Sequence, residues 1–230
     1  MTNCKYFISF AAIGCLAAGF GSPVGAGIVT DQSVNAFTAP SPSGEIGGPS
    51  IDDLENTLQT FTVGIGGTLN SIEVQVQQSD GTFPGDLPNE DLTLSILGTT
   101  GGVPDFGQNL GSVSLPASSI PAFDGFTSGP FTAYDLSGLG IAVSPGDVLA
   151  FQLSSTTTIG SYFIYDSEVD IYGGGTSYVF SPLDGFFADF SPRDLGFITT
   201  VAIPEPSSSI LLSLGGLLFV RRQRRESAAS

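Results

Sequence analysis

Apolar and polar residues alternate with a period of two through the middle of the chain. Ile72, Val74 and Val76 are each followed by a polar side chain, and the same alternation recurs over 92–96 and 149–153. A period of two sends alternate side chains to opposite faces of a β-strand, so these segments predict half-buried strands of an antiparallel sheet. Shorter apolar runs predict further strands at Thr60–Ile65, Ser112–Leu115, Phe131–Leu136, Ser161–Tyr165, Ser177–Phe180, Phe186–Phe190 and Leu195–Val201.

Turn-forming pairs such as Gly66-Gly67, Gly101-Gly102 and Pro145-Gly146 separate these runs. No amphipathic helical pattern occurs between the two ends of the chain. About ten short strands punctuated by turns predict an all-β fold, an antiparallel two-sheet β-sandwich of the jelly-roll type. Residues 31–50 are rich in Ser, Pro and Gly and predict a leader or an irregular first strand.

The N-terminal segment has the three parts of a secretory signal peptide. Lys5 supplies the positive charge, Tyr6–Phe20 is apolar, and small residues precede a cleavage site between Ala26 and Gly27. Residues 1–26 are therefore predicted to be removed on export. Two alternatives stay open: a membrane anchor or core helix, and a lipoprotein signal in which Cys15 is acylated.

The C-terminal segment also has three parts in order. Pro204, Glu205 and Pro206 form a rigid, extended element, and Ser207–Val220 is apolar. The apolar run is shorter than the ~20 residues of a stable membrane-spanning helix, and it predicts a marginal hydrophobic helix. A cationic cluster then holds that end in the cytoplasm, which leaves the body (27–203) outside and 226–230 as a cytoplasmic tail. The cluster consists of Arg221, Arg222, Arg224 and Arg225.

Residues 204–225 resemble the PEP-CTERM sorting signal of exopolysaccharide-producing Gram-negative bacteria. The resemblance implies recognition by an exosortase, an integral-membrane cysteine protease/transpeptidase that acts near Pro204-Glu205-Pro206. It also implies exopolysaccharide as a partner, passage through the inner membrane, and a final location at the cell surface or in the extracellular matrix. A generic tail anchor is the alternative.

The body is similar to the choice-of-anchor ectodomains that often precede such tails. The similarity rests on strand and turn segments and transfers no catalytic residue; it implies a β-sandwich displayed outside the cell. The segments are Gln59–Val63, Gly67–Ile72, Asp91–Leu97, Ser144–Phe151 and Tyr172–Gly175.

Charge and composition narrow the possible functions. Residues 27–203 contain 20 acidic side chains and a single basic one, Arg193, so this body repels phosphate backbones and is not expected to bind nucleic acid. The chain has no His, and both cysteines, Cys4 and Cys15, lie in the signal segment. Disulfides, a Cys/His zinc site and His- or Cys-dependent catalysis are therefore not expected in the body, and we predict that it is not an enzyme.

Asp166, Glu168 and Asp170 alternate along the sequence. On a strand, all three carboxylates would share one face, where they could bind Ca²⁺. A solvated strand face is the alternative. Weaker acidic candidates precede the first predicted strand or crowd one loop region: Asp52, Asp53, Glu55, Asp80, Asp86, Glu90 and Asp91.

Three functions remain open at this level. The first is a non-enzymatic surface or matrix protein associated with exopolysaccharide. The second is a carbohydrate-binding jelly-roll module, weakened by the absence of Trp. The third is a glycosidase that uses two carboxylates. The ring faces for the second would come from Tyr162, Tyr165, Tyr172 and Tyr178.

Overall fold

The computed structural model describes residues 26–36, 44–46, 56–79, 87–123, 129–167, 169–182, 185, 187–189 and 192–204. The predicted signal peptide up to Gly25 lies outside the described residues. So do Glu205, Pro206, the apolar C-terminal segment and the arginine cluster. Within the described ranges, no helix has the length and hydrophobicity needed to cross a lipid bilayer.

The described chain is all-β, as the alternating pattern predicts. In the part of the chain that the structure describes, helical geometry is confined to two short 3₁₀ turns, Ala117–Ser119 and Ser137–Leu139. The strands are β1 (Gly27–Val34), β2 (Gly44–Ile46), β3 (Asn56–Thr62), β4 (Gly67–Ser79), β5 (Leu92–Thr100), β6 (Val103–Leu115), β7 (Phe131–Asp135), β8 (Ala142–Val143), β9 (Val148–Ser154), β10 (Ser161–Ile164), β11 (Ser177–Phe180), β12 (Phe187–Asp189) and β13 (Phe197–Ile203).

These strands form two antiparallel sheets. The seven-stranded sheet runs β1-β13-β4-β10-β2, and β7 and β8 also pair with β4. The six-stranded sheet runs β12-β11-β3-β9-β5-β6. The predicted antiparallel two-sheet β-sandwich is confirmed.

Strand β4 organises the seven-stranded sheet because several strands pair along it. β13 pairs with β4 up to Val74, and β10 pairs with it from Val76 onward. Between them, the Gln75 backbone N–H donates to Gly196 O at 3.0 Å, and the Tyr165 N–H donates to Gln75 O at 3.2 Å. A Cβ on Gly196 would lie 1.8 Å from the Gln75 side-chain oxygen. Only glycine leaves room for the Gln75 side chain at this junction.

The main core lies between the two sheets and is formed by the apolar side of the alternation. Ile72, Val74 and Val76 of β4 are buried in it, together with the apolar residues of β5 and β9. Phe61, Phe151 and Phe197 pack against one another, with ring centroids 5.5–6.5 Å apart. Burial of a side chain of this size contributes about 2–3 kcal/mol to folding.

The second half of β4 is buried on both faces, so the prediction of a half-buried strand is wrong there. Gln75 and Gln77, on the outer side of the alternation, are each only 2% exposed. Loops cover them and satisfy their amides: the Ala36 N–H donates to Gln75 Oε1 at 3.1 Å, and Gln75 Nε2 donates to Gly129 O at 3.1 Å. A buried polar side chain is tolerated because its hydrogen bonds are made.

The boundaries of several strands also differ from those predicted. β1 spans Gly27–Val34 with a register shift between Thr30 and Gln32, and β2 occupies Gly44–Ile46, inside the segment predicted as a leader or irregular strand. β6 begins at Val103, nine residues before the predicted start at Ser112. Edge strands such as β1 and β6 are largely exposed, so they carry no strong apolar alternation for a sequence pattern to detect.

The first and last described strands pair with each other. Gly27 lies opposite Ile203 at one end of the β1–β13 ladder, and Val34 lies opposite Phe197 at the other. The residues Ala26–Pro204 form one compact unit. The chain therefore enters this unit through β1, the edge strand of the seven-stranded sheet, and leaves it through the neighbouring strand β13.

Candidate functional site

The predicted carboxylate ladder is not formed by the described part of Tyr165–Tyr172. Asp166 makes an isolated antiparallel bridge with Leu195, but residues 169–172 are not in a strand. Asp170 is exposed, and Glu168 lies outside the described residues. The Asp166 carboxylate is 3% exposed and forms a salt bridge of 3.3 Å with Arg193. Because residues 169–172 are not in a strand, the expectation that period two aligns Asp170 with Asp166 is wrong.

Asp194 explains this departure. Its Oδ2 accepts hydrogen bonds from the backbone N–H groups of Ile171 at 2.8 Å and Tyr172 at 2.9 Å, which holds the chain away from a strand path. Its Oδ1 accepts from Gln59 Nε2 at 3.3 Å, and its own N–H donates to Ser167 Oγ at 3.0 Å. The carboxylate thus connects β3 with the loops before β11 and β13.

Asp194 is the buried titratable residue that the sequence analysis missed. It is 2% exposed, and burial raises its pKa above the usual value, against the lowering effect of the hydrogen bonds from Tyr172, Ile171 and Gln59. Nothing in the local sequence separates Asp194 from the other acids, because its role depends on distant residues. Because its carboxylate is hydrogen-bonded by groups of the protein itself, its role is structural.

The other described carboxylates do not form a cluster that could coordinate a metal ion. Within the described ranges, no three His, Cys, Asp or Glu side chains lie close enough together to hold a metal ion. Asp52, Asp53, Glu55, Asp80 and Asp86 lie outside those ranges. Calcium binding stays an untested prediction.

The four tyrosines proposed as ring faces have other roles. Tyr162 is 0% exposed and Tyr165 is 2% exposed, so neither ring can stack on a ligand. The Tyr172 hydroxyl accepts a hydrogen bond of 3.1 Å from the Thr62 N–H. Tyr178 is buried beneath Phe187, with parallel rings 5.0 Å apart. These four residues do not form one aromatic surface.

A polar cleft lies at one end of the six-stranded sheet and has a volume of about 310 Å³. Leu94 and Leu153 of β5 and β9 face the core, so by alternation Thr93 and Ser154 face outward. The cleft is lined by two carboxylates, one amide and several hydroxyls, which belong to Glu90, Asp91, Asn56, Thr93, Ser154 and Ser155. Glu90 and Asp91 are exposed. This lining offers hydrogen-bond donors and many acceptors within one concave site.

An aromatic cluster adjoins the cleft on the same outer face. Phe180 of β11 lies opposite Asn56 of β3 in the sheet, so their side chains project to the same side. The Phe106 ring lies 4.5 Å from Phe180 and 5.9 Å from Phe187. Phe106 is 42% exposed and Phe187 is 36% exposed. We call Phe106, Phe180 and Phe187 the aromatic cluster.

Phe106 reaches this cluster from a distant strand. In the sheet order, β5, β9 and β3 separate β6 from β11, so the segment around Phe106 crosses the outer face. The register of β5 and β6 shifts between Leu97↔Asn109 and Thr99↔Pro104, which leaves the residues 105–108 opposite Gly98 alone. Asp105 holds this bulge by accepting hydrogen bonds from the Gly107 N–H at 2.9 Å and Gln108 Nε2 at 2.6 Å. The same contacts, Gln108 first, lower the pKa of Asp105.

The described residues of the two predicted processing sites are accessible. Ala26 and Gly27 are exposed at the start of β1, and Pro204 is exposed directly after β13. No protein-family model matches the chain, and no curated protein matches it.

Proposed function

We propose that this chain is an exported, non-enzymatic protein of the cell surface or extracellular matrix, sorted by an exosortase and associated with exopolysaccharide. In this proposal the mature protein begins at Gly27, and the segment from Pro204 is the sorting signal that the exosortase recognises. The proposal includes a jelly-roll ectodomain of the choice-of-anchor type. The repeated crossing of the chain between the two sheets supports that fold subtype.

The pairing of Gly27 with Ile203 is the observation that carries the proposal. The folded unit starts one residue before the predicted mature N-terminus and ends at the first proline of the predicted sorting motif. Cleavage after Ala26 would leave the β1–β13 ladder complete. A protease acting at Pro204-Glu205-Pro206 would cut after Ile203, the last residue of β13, and would leave the strands of the folded unit intact.

Composition supports the non-enzymatic part of the proposal. Residues 27–203 contain no His, Cys or Lys, so the His and Lys bases and the Cys nucleophile that often serve acyl transfer are absent from this part of the sequence. A carboxylate-only glycosidase is the remaining chemical alternative, and an assay for polysaccharide hydrolysis tests it directly.

Mass spectrometry of the mature protein tests the sorting proposal. The chain is expressed in a bacterium that has an exosortase and in the same strain with the exosortase gene deleted. We expect an N-terminus at Gly27 in both strains, and loss of the segment after Pro204-Glu205-Pro206 only where the exosortase is present. Glu205→Ala is the test variant and Glu226→Ala, beyond the arginine cluster, is the matched control. Identical C-termini in the two strains would overturn the proposal.

A further inference from the structure

The outer face of the six-stranded sheet combines two features that together suit a carbohydrate. One is the cleft lined by Asn56, Glu90, Asp91 and hydroxyl side chains, and the other is the aromatic cluster beside it. Phe180 belongs to the cluster, and its partner across the ladder, Asn56, lines the cleft. The two features therefore form one continuous surface.

Polar groups of the cleft match a ligand that carries many hydroxyls. The carboxylates of Glu90 and Asp91 are hydrogen-bond acceptors, and the Asn56 amide is both donor and acceptor. Two hydroxyl groups of the lining already make hydrogen bonds within the protein. Thr93 Oγ1 lies 2.8 Å from Ser114 Oγ, and Ser155 Oγ donates to Asp91 O at 3.0 Å. These contacts hold the lining in place, so that the cleft is built before a ligand arrives.

The electrostatics of the cleft select against acidic ligands. Two carboxylates line it, and Arg193, the basic residue among those described, forms its salt bridge with Asp166 instead. A phosphate or a uronic acid would meet like charge at this surface. An uncharged sugar would meet acceptors for its hydroxyl groups.

The aromatic cluster supplies the apolar part of such a site. Phe106 and Phe187 expose ring surface next to a polar cleft, and binding sites for small organic ligands combine apolar surface with a few fixed polar groups. The pyranose ring has an apolar C–H face that fits against an aromatic ring. A protein partner suits the surface less well, because the lining of the cleft is mostly polar and carries two exposed carboxylates.

We propose that the cleft and the aromatic cluster together bind a neutral polysaccharide. Glu90 and Asp91 accept hydrogen bonds from sugar hydroxyls, and the Asn56 amide both accepts and donates them. Phe106 and Phe187 pack against the apolar faces of adjacent sugar rings. This inference deepens the proposed function, because it rests on a surface location where polysaccharide is present and assigns the site that binds it.

Binding measurements on the full chain in mild detergent test the inference. The probes are soluble β-glucan, mannan and dextran as neutral polysaccharides, and alginate as an acidic one. We expect binding to at least one neutral polysaccharide without hydrolysis, and weaker binding to alginate. Glu90→Gln is expected to weaken binding about tenfold or more with an unchanged melting temperature. Phe187→Ala is expected to weaken binding as much and also to lower the melting temperature, because its ring stacks on Tyr178.

Matched variants outside the site separate local from general effects. Glu73→Gln makes the same charge change on β4 of the other sheet, and Ile28→Ala removes an exposed apolar side chain on β1. Both should bind as the wild type does. Binding to none of the neutral probes, tighter binding to alginate, or normal binding by both site variants would overturn the inference. Unprocessed C-termini with intact glycan binding would overturn the sorting proposal alone.

Discussion

Two buried tyrosines differ in a single hydrogen bond, and this difference gives a prediction at the scale of one atom. Tyr134 and Tyr162 are both 0% exposed, and burial raises the pKa of both hydroxyls. The Tyr162 hydroxyl donates to Glu90 O at 2.5 Å, whereas the Tyr134 hydroxyl has no hydrogen-bond partner among the described residues. We expect Tyr134→Phe to stabilise the fold by about 1 kcal/mol and Tyr162→Phe to destabilise it by about as much.

Urea unfolding of the two variants measures both effects against the wild type. The two substitutions remove the same atom from the same residue type, so each is the control for the other. Equal destabilisation by both would show that the Tyr134 hydroxyl makes a hydrogen bond in solution.

The raised pKa of Asp194 predicts that the free energy of unfolding depends on pH. Burial raises its pKa in the folded protein above the unfolded value near 3.8, so folding opposes its ionisation. Its contribution to stability is therefore complete below the unfolded pKa and decreases as the pH rises through the folded pKa. Asp194→Asn removes this titration. We expect the free energy of unfolding of the wild type, relative to that of the variant, to increase as the pH is lowered from about 7 to about 4.

Urea unfolding of both proteins at several pH values in this range measures that difference. Other acids titrate in both proteins and cancel in the comparison. A difference that is constant with pH, or that changes in the opposite direction, would contradict a raised pKa at Asp194.

At the scale of elements, the glycine-rich segment before β11 pairs closely with β3. The Thr60 N–H donates to Thr176 O at 2.9 Å, and Thr62 Oγ1 donates to Gly174 O at 2.7 Å. A Cβ on Gly175 would lie 1.8 Å from the Thr60 carbonyl oxygen, whereas a Cβ on Gly173 would meet nothing within 4 Å. Gly175→Ala must displace backbone, and we expect it to destabilise the protein by about 3 kcal/mol.

Thermal melting compares the two glycine variants. Gly173→Ala makes the same chemical change two residues away and should leave the melting temperature unchanged or slightly raised, because it lowers the entropy of the unfolded chain. Similar melting temperatures for the two variants would contradict the close approach of Gly175 to β3.

The sequence pattern predicts the strands that face the core and misses the features that depend on distant contacts. Ser177–Phe180 is predicted with the observed bounds, because its side chains pack against neighbouring strands. The burial of Gln75 is not predictable locally, since loops far along the chain supply its partners. Residues 169–172 do not continue a strand from Asp166 for the same reason: the Asp194 carboxylate, far along the chain, binds the backbone of Ile171 and Tyr172.

The candidate binding surface could not be predicted from local pattern either. Asn56, Asp91 and Ser154 come from separate strands or strand ends, and only the pairing of β3, β9 and β5 brings them together. Phe106 joins Phe180 because a bulge in the β5–β6 hairpin crosses the sheet. Ring faces were predicted at four tyrosines, but the exposed rings of this surface belong to Phe106 and Phe187.

At the scale of the whole molecule, the pairing of β1 with β13 places the first and last described strands side by side in one sheet. Both ends of the folded unit belong to the seven-stranded sheet, on its edge strand β1 and on the neighbouring strand β13. The proposed glycan surface belongs to the outer face of the other sheet. In the proposed function, a chain held by its C-terminal segment is therefore attached through one sheet and binds through the other.

The acidic excess of the body predicts that salt stabilises the fold. Residues 27–203 carry 20 acidic side chains and one basic side chain, so compaction brings like charges together. The screening length falls from ~30 Å at 0.01 M salt to ~8 Å at 0.15 M, which weakens this repulsion. We expect the melting temperature to rise by a few degrees between these two concentrations of NaCl, and no rise would contradict net repulsion.

Calcium and magnesium chloride at matched ionic strength separate screening from specific binding. Equal rises with the two cations would contradict the calcium site predicted at Asp166, Glu168 and Asp170, whereas an extra rise with calcium that Asp170→Asn abolishes would support it.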